Sequence, residues 1–226
     1  MKNVQQRAAI IAGVSLLLMA IAAGFSYGYV HNSLVITGDA GATFKNIQAS
    51  LSLFELGILG WMIIIILDVL VSWAFYVVLK PVHKAYSLVA IWLRLLYTAI
   101  LALAVSHLVI ARQTILEGAQ IPPSQVMTSI LSFESIWSIG LIIFGLHLFF
   151  VGFVALKSSR IPKIISYLLV IAGSSYMLIH LLHTFFPQLE HTTNMLEMVL
   201  SLPMIAGELG FGIWLMVKGR KVTMTD

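Results

Sequence analysis

The sequence predicts an all-α fold, a bundle of six transmembrane helices in one domain over residues 1–226. Of the 226 residues, 60% are hydrophobic and 10% are charged, whereas soluble domains are about 25% charged. The apolar residues gather into six runs, each near or above the roughly 20 residues that cross a bilayer. Since small globules expose much of their surface, a bilayer is the solvent that suits this composition.

Prolines mark several ends of these runs. Pro81 and Pro162 lie at helix starts, where a missing N–H costs little, and Pro187 ends the fifth run. The first run is too long for the core of a signal peptide and lacks a small-residue cleavage site, so we expect it to be retained. The predicted helices span about 8–30, 51–79, 85–111, 126–156, 164–186 and 195–217.

Lysine and arginine residues predict the orientation, because cytoplasmic loops carry an excess of them. They fall in alternate segments, which predicts that both termini are cytoplasmic, while Lys45 and Arg112 lie on the other side. We expect a multi-pass protein of a bacterial plasma (inner) membrane, and no nucleic-acid partner. The ten residues that share the inner side are Lys2, Arg7, Lys80, Lys84, Lys157, Arg160, Lys163, Lys218, Arg220 and Lys221.

The longest external segment covers residues 31–50. Gly38-Asp39-Ala40 is typical of a turn, with Asp39 as the cap of a short helix. This helix could lie on the membrane surface, or it could be a plain extension of the second transmembrane helix.

Four ionisable residues are predicted to share one depth near mid-membrane, counting about 1.5 Å per residue from each cytoplasmic end. They are Asp68, Arg94, His147 and Glu208. Ionisable groups at that depth are costly and usually face the bundle interior. One interpretation is an Asp68–Arg94 ion pair that fixes helix register. The other is a hydrated cavity, because four polar groups exceed what one pair requires.

Two further features favour the cavity. Ser72 and Tyr76 continue a polar stripe from Asp68 on the second helix. Pro203 and Gly207 predict a hinge in the sixth helix, which we expect to be kinked or partly unwound beside Glu208. Transporters use such broken helices at binding sites. A static proline kink is the alternative.

A second set of acids and histidines is predicted nearer the external face. Carboxylates and imidazoles are ligands for a divalent transition metal, and paired histidines can hold haem b; a wetted vestibule is the simpler alternative. The chain has no cysteine, which excludes thiolate ligands. We predict no cofactor, with a divalent transition metal or haem b as the alternative. The set comprises Glu55, His107, Glu134, His180, His183 and Glu197.

Short motifs along nearly the whole chain carry a resemblance to one family. They include Leu67-Asp68-Val69-Leu70-Val71, Leu79-Lys80-Pro81-Val82, Arg94-Leu95, Phe144-Gly145-Leu146-His147-Leu148, Ile161-Pro162-Lys163 and Gly207-Glu208. Together they resemble the bacterial membrane family named domain of unknown function 4386. The resemblance implies a small polytopic protein and includes the four mid-membrane positions, but not clearly Glu55 or His107. It departs after Tyr176, where Ile179 stands in place of an acidic residue, and it supplies no reaction, substrate or cofactor.

Three hypotheses of function follow. The first is a protein that binds or translocates a small polar or charged solute, or protons, with Arg94 pairing an anion or Asp68, His147 titrating and Glu208 gating. The second is an enzyme or redox protein, either a metal-dependent membrane hydrolase or a haem protein, built on the outer residues. The third is a non-catalytic sensor or assembly partner. The bilayer is the expected surrounding in each, and a homo-oligomer is compatible with all three.

Overall fold

The structure, a computed structural model, describes residues 2–118 and 122–219. Every element in these residues is helical, and six helices are long and apolar enough to cross a membrane. The predicted all-α class is therefore confirmed. Arg220 and Lys221, which entered the prediction of orientation, lie outside the described residues. The cytoplasmic location of the termini stays a prediction.

Four of the six long helices extend beyond the apolar runs that predicted them, whereas Leu51–Leu79 has the predicted bounds and Lys163–Phe185 is shifted by one residue. Helix α1 is an α-helix over Lys2–Ala23, a π-helix over Gly24–His31 and a final α-turn over Asn32–Leu34. A 3₁₀ turn over Pro187–Leu189 precedes the last helix. The remaining helices are α2 (Ala40–Ala49), α3 (Leu51–Leu79), α4 (Lys84–Leu116), α5 (Pro123–Lys157), α6 (Lys163–Phe185) and α7 (Glu190–Val217).

Helix α2 is a separate helix and not an extension of α3. Gly38 adopts a φ of 80°, and Asp39 caps the helix by accepting a hydrogen bond of 2.8 Å from the Ala42 N–H. The helix ends at Ala49, because Ser50 leaves the helical conformation with φ −129° and ψ 43°. The predicted turn and cap are thus present.

The chain divides into two compact units. Unit 1 comprises the described residues of 1–18, 67–98 and 138–226, and unit 2 comprises 19–66 together with the described residues of 99–137. Helices α6 and α7 belong wholly to unit 1 and α2 belongs to unit 2, whereas α1, α3, α4 and α5 contribute segments to each.

Glycines bring helix backbones into contact within unit 1. A Cβ atom at Gly145 of α5 would lie 2.6 Å from the carbonyl oxygen of Gly173 on α6. A Cβ at Gly13 of α1 would lie 2.5 Å from the Gly212 carbonyl oxygen of α7, and Gly219 approaches Ala9 in the same seam. Small residues permit such approach between helices in membranes.

The expected unwinding of the last helix is not found. Helix α7 continues from Glu190 to Val217 with Pro203 inside it. Gly207 is a packing position, since a Cβ there would lie 2.9 Å from the Leu168 carbonyl oxygen of α6. The glycine therefore serves close contact with α6, and the backbone beside Glu208 stays helical.

The irregular backbone lies instead in unit 2, in the π-helix of α1. The Asn32 N–H bonds to the Tyr27 carbonyl oxygen, one residue further than an α-helix allows. Ser26 in this segment packs on Gly60 of α3, where a Cβ would lie 2.1 Å from the Ser26 hydroxyl oxygen. This π-helix was not predicted from the sequence.

Candidate functional site

The centre of the candidate site is an ion pair between α3 and α4 in unit 1. The Arg94 Nη2 and Asp68 Oδ1 atoms lie 2.5 Å apart, and the two side chains are 1% and 0% exposed. Removing charges this completely from water is costly unless they are paired. The predicted agreement in depth between these two residues therefore corresponds to direct contact.

His147 of α5 joins the pair through a hydrogen bond to Arg94. Its Nε2 lies 3.1 Å from Arg94 Nη1, and its Nδ1 lies 2.8 Å from the Ala90 carbonyl oxygen. A guanidinium only donates and a carbonyl only accepts, so Nδ1 carries the proton and Nε2 accepts. The imidazole is neutral in this arrangement, and Nε2 can take a proton only if Arg94 withdraws.

Aromatic rings enclose the guanidinium. The Arg94 Cζ atom lies 5.6 Å from the ring centroid of Phe75 and 5.4 Å from that of Phe144, within the range of cation–π attraction. Phe75 also stacks on His147, with 5.9 Å between centroids. Sequence reasoning missed both phenylalanines, because nothing separates them from ordinary core residues.

One oxygen of the cluster is unmatched. Asp68 Oδ2 is buried and has no hydrogen-bond partner among the described residues. A buried acceptor without a partner is destabilising, and such atoms in native proteins call for an explanation such as a bound proton, ion or water. The cluster thus has capacity for one more donor.

Glu208 of α7, the fourth predicted residue, is half-buried. Its carboxyl group is hydrogen-bonded to the Tyr176 hydroxyl of α6 and lies within electrostatic range of Arg94 and Asp68. Tyr176 is a member of the site that the sequence analysis did not select. Its place on the same helix face as His180, four residues later, is the signal that could have found it.

The predicted polar stripe on α3 is used locally. The Ser72 hydroxyl donates to the Asp68 carbonyl oxygen of its own helix at 2.8 Å. Tyr76 is half-buried, and the Lys80 Nζ lies 5.3 Å from its ring centroid. Both side chains therefore interact with residues of the same stretch of chain, and neither contact depends on a ligand.

Two of the predicted outer residues make close polar contacts within unit 2. Arg112 Nε and Nη2 each lie 2.5 Å from Glu55 Oε1, beside a cleft of about 330 Å³. Glu134 Oε1 lies 2.8 Å from Nε2 of His31, a residue of the π-helix. His31 was not among the predicted site residues, because its neighbours in the sequence are typical of a loop.

The other outer residues do not converge. His180 of unit 1 is hydrogen-bonded through Nδ1 to the Ser138 hydroxyl at 3.0 Å. His107 is half-buried, and His183 and Glu197 are exposed. Within residues 2–118 and 122–219, no group of three or more histidines and acids is arranged to hold a metal ion. The candidate site is therefore the cluster of Asp68, Arg94 and His147, whose side chains are in contact, and not the outer set of acids and histidines.

The six long apolar helices and this buried ionic cluster define a class of protein, the multi-pass α-helical membrane proteins. Residues 11–219 match the family described as Domain of unknown function (DUF4386), and the chain belongs to that family. It is 32% identical over 166 residues to an uncharacterized protein of Archaeoglobus fulgidus, and the matched residues cover 74% of this chain and 85% of the relative. No solved structure matches.

Proposed function

We propose that this protein binds or translocates a small polar or charged solute, or protons, across a bacterial plasma membrane. The site would be formed by Asp68, Arg94, His147 and Glu208. The observation that carries the proposal is the fully buried chain of contacts from Asp68 through Arg94 to His147, which leaves Asp68 Oδ2 without a partner. A pair that served only to fix register would not need the third and fourth groups.

The charges of the cluster support exchange of a cation or proton. The Arg94 guanidinium is always charged and neutralises one carboxylate, and His147 is neutral in its present hydrogen bonds. Asp68 and Glu208 together supply two carboxyl groups. Arg94 pairs with Asp68, so Glu208 is the carboxyl group in excess, and its half-buried position favours binding of a proton or cation.

The cluster also supplies a means of coupling. If a solute anion draws Arg94 away from His147, or a proton on Asp68 weakens the ion pair that holds Arg94 in place, Nε2 of the imidazole becomes free to accept a proton. The same movement would uncover Asp68. Binding at one group therefore changes the protonation of its neighbours, which is what a coupled transport cycle needs.

The test is proton flux in vesicles that contain the purified protein and a trapped pH-sensitive dye, under an imposed membrane potential. We expect the wild type to move protons, and Glu208→Gln to reduce the rate by at least about tenfold, since a positioned acid commonly contributes 10² or more. Glu190→Gln is the matched control, because Glu190 lies exposed on the same helix. Equal rates for wild type and Glu208→Gln would contradict the proposal.

A structural pin is the second candidate, favoured by the close packing of Phe75 and Phe144 around Arg94. In that case the cluster fixes α3, α4 and α5 to one another and conducts nothing. Variants of Asp68 or Arg94 would then lose stability, while Glu208→Gln would leave every flux unchanged. The vesicle assay distinguishes the two candidates.

A further inference from the structure

We propose that Tyr176, His180, Ser138 and Thr184 form a proton relay between Glu208 and the C-terminal end of α6. The inference rests on the proposed function and narrows its substrate to protons. It concerns unit 1 alone, where α5, α6 and α7 contribute all five residues.

The relay follows one face of α6. Tyr176, His180 and Thr184 are spaced four residues apart, so their side chains lie above one another. Tyr176 is hydrogen-bonded to Glu208 and its ring stacks on that of His180, with centroids 6.1 Å apart. The contacts therefore lead from the ionic cluster toward the end of the helix at Phe185.

Ser138 of α5 completes the path from the neighbouring helix. Its hydroxyl oxygen lies 3.0 Å from His180 Nδ1 and 3.4 Å from the Thr184 hydroxyl oxygen. Ser138 is only 5% exposed, so these polar groups meet inside the α5–α6 contact. By contrast, Leu178, Leu181 and Phe185 of α6 are exposed. The helix thus turns polar groups inward and apolar groups outward.

The chemistry of these groups suits proton transfer. Each hydroxyl can donate and accept at once, and imidazole can bind a proton on one nitrogen while releasing one from the other. A proton that leaves Glu208 passes through Tyr176 and one water molecule to His180, then through Ser138 and Thr184. Each group ends in its starting protonation state, so one proton moves and nothing is oxidised or reduced.

The titratable neighbours of the relay are few. Tyr97 and Glu197 act electrostatically on Tyr176, and His183 acts on His180. Glu190 and His191 of α7 are exposed and are not among these neighbours, which makes them suitable as control positions. His180 is the one imidazole of the relay, and its two ring nitrogens allow it to accept a proton on one side and release one on the other.

A serine beside a histidine could instead be a nucleophile and its base. Ser138 lies in the interior of α5, which is α-helical from Pro123 to Lys157, so the backbone N–H groups around it are engaged in the helix. Acyl transfer requires free donors for the developing oxyanion. The geometry therefore assigns the Ser138 hydroxyl to proton transfer.

The experiment compares His180→Ala with His191→Ala in the vesicle assay, and adds imidazole to the buffer. We expect His180→Ala to lower proton flux by at least about tenfold, His191→Ala to leave it unchanged, and imidazole to restore part of the flux of His180→Ala alone. Rescue by a diffusible base is a signature that a purely structural histidine would not give. If His180→Ala does not purify as a folded protein, His180→Gln replaces it.

Unchanged flux in His180→Ala, with Glu208→Gln still inactive, would overturn the relay and leave the proposed function intact. A loss in His180→Ala that imidazole does not restore would also overturn it. Wild-type vesicles without proton flux would overturn the relay together with proton translocation as the proposed function. Covalent labelling of Ser138 by a fluorophosphonate would overturn the relay in favour of a nucleophile.

Discussion

Arg94 is the residue on which the candidate site depends. Its guanidinium contacts a carboxylate, an imidazole and two aromatic rings, and its side chain is 1% exposed. Without these partners, a group of this size and charge is not stable inside an apolar bundle. The free energy of the folded state should therefore respond sharply to either partner of the ion pair.

We predict that Arg94→Leu or Asp68→Asn lowers the free energy of unfolding by about 3–5 kcal/mol, because each leaves a buried group without its partner. The double substitution should cost less than the sum. Glu55→Gln is the control, since the Glu55–Arg112 pair is 35% and 37% exposed and such pairs contribute about 0–1 kcal/mol. Denaturant titration in detergent micelles measures all four variants.

If variants of the buried and the exposed pair lost the same free energy of unfolding, burial would not make the Asp68–Arg94 pair more important for stability. Strict additivity in the double variant would show that the two side chains do not interact energetically.

The sequence predicted which residues lie near Arg94, but it did not predict the geometry of their contacts. Equal distance from the helix ends was enough to group Asp68, Arg94 and His147, because helices rise by a fixed length per residue. The tautomer of His147 depends on the Ala90 carbonyl, and the Tyr176–Glu208 bond depends on how α6 and α7 are rotated. Neither quantity is encoded in spacing along one helix.

At the scale of elements, glycines decide how closely the helices pack. We predict that Gly145→Ala destabilises the protein by about 1–3 kcal/mol, the usual cost of overpacking, because its Cβ would lie 2.6 Å from the Gly173 carbonyl oxygen. Gly210→Ala is the control, since no atom lies within 4 Å of a Cβ there. It should be neutral or stabilising, because alanine favours helix.

Thermal unfolding of the two alanine variants in the same detergent provides the measurement. A Gly145→Ala protein as stable as Gly210→Ala would mean that α5 and α6 separate without cost, contrary to the contact between their backbones.

The same glycines explain why the prediction of an unwound last helix was wrong, while a kink at Pro203 stays a prediction. Gly207 beside Pro203 has the composition of a hinge, yet a Cβ at Gly207 would approach Leu168, and α7 is continuous. Sequence alone does not separate a glycine that permits bending from one that permits contact. The π-helix at Gly24–His31 was missed for the complementary reason, since its residues are as apolar as an ordinary helix.

At the scale of the molecule, the number of spans was the most predictable property, because bilayer thickness sets the length of an apolar run. The division into two units was not predictable, since it depends on contacts between helices. Helix ends were underestimated where polar residues continue a helix, as at Glu190, where α7 begins.

Orientation is testable because the chain contains no cysteine. We predict that a single cysteine at Lys84 or Arg160 reacts with a membrane-impermeant maleimide only after the cells are opened, whereas one at Gly38 reacts in intact cells. The reason is that the segments containing Lys84 and Arg160 carry the excess of lysine and arginine that is typical of cytoplasmic loops. Labelling of the Lys84 position in intact cells would invert the proposed topology.

The seam between α1 and α7 carries a consequence for biosynthesis. Gly13 touches Gly212, and Gly219 lies against Ala9, so α1 is closed against α7, which is synthesised much later. The glycine face of α1 lacks this partner until α7 has been inserted. A message truncated before residue 190 would leave that face permanently open, a defect that membrane proteases can recognise.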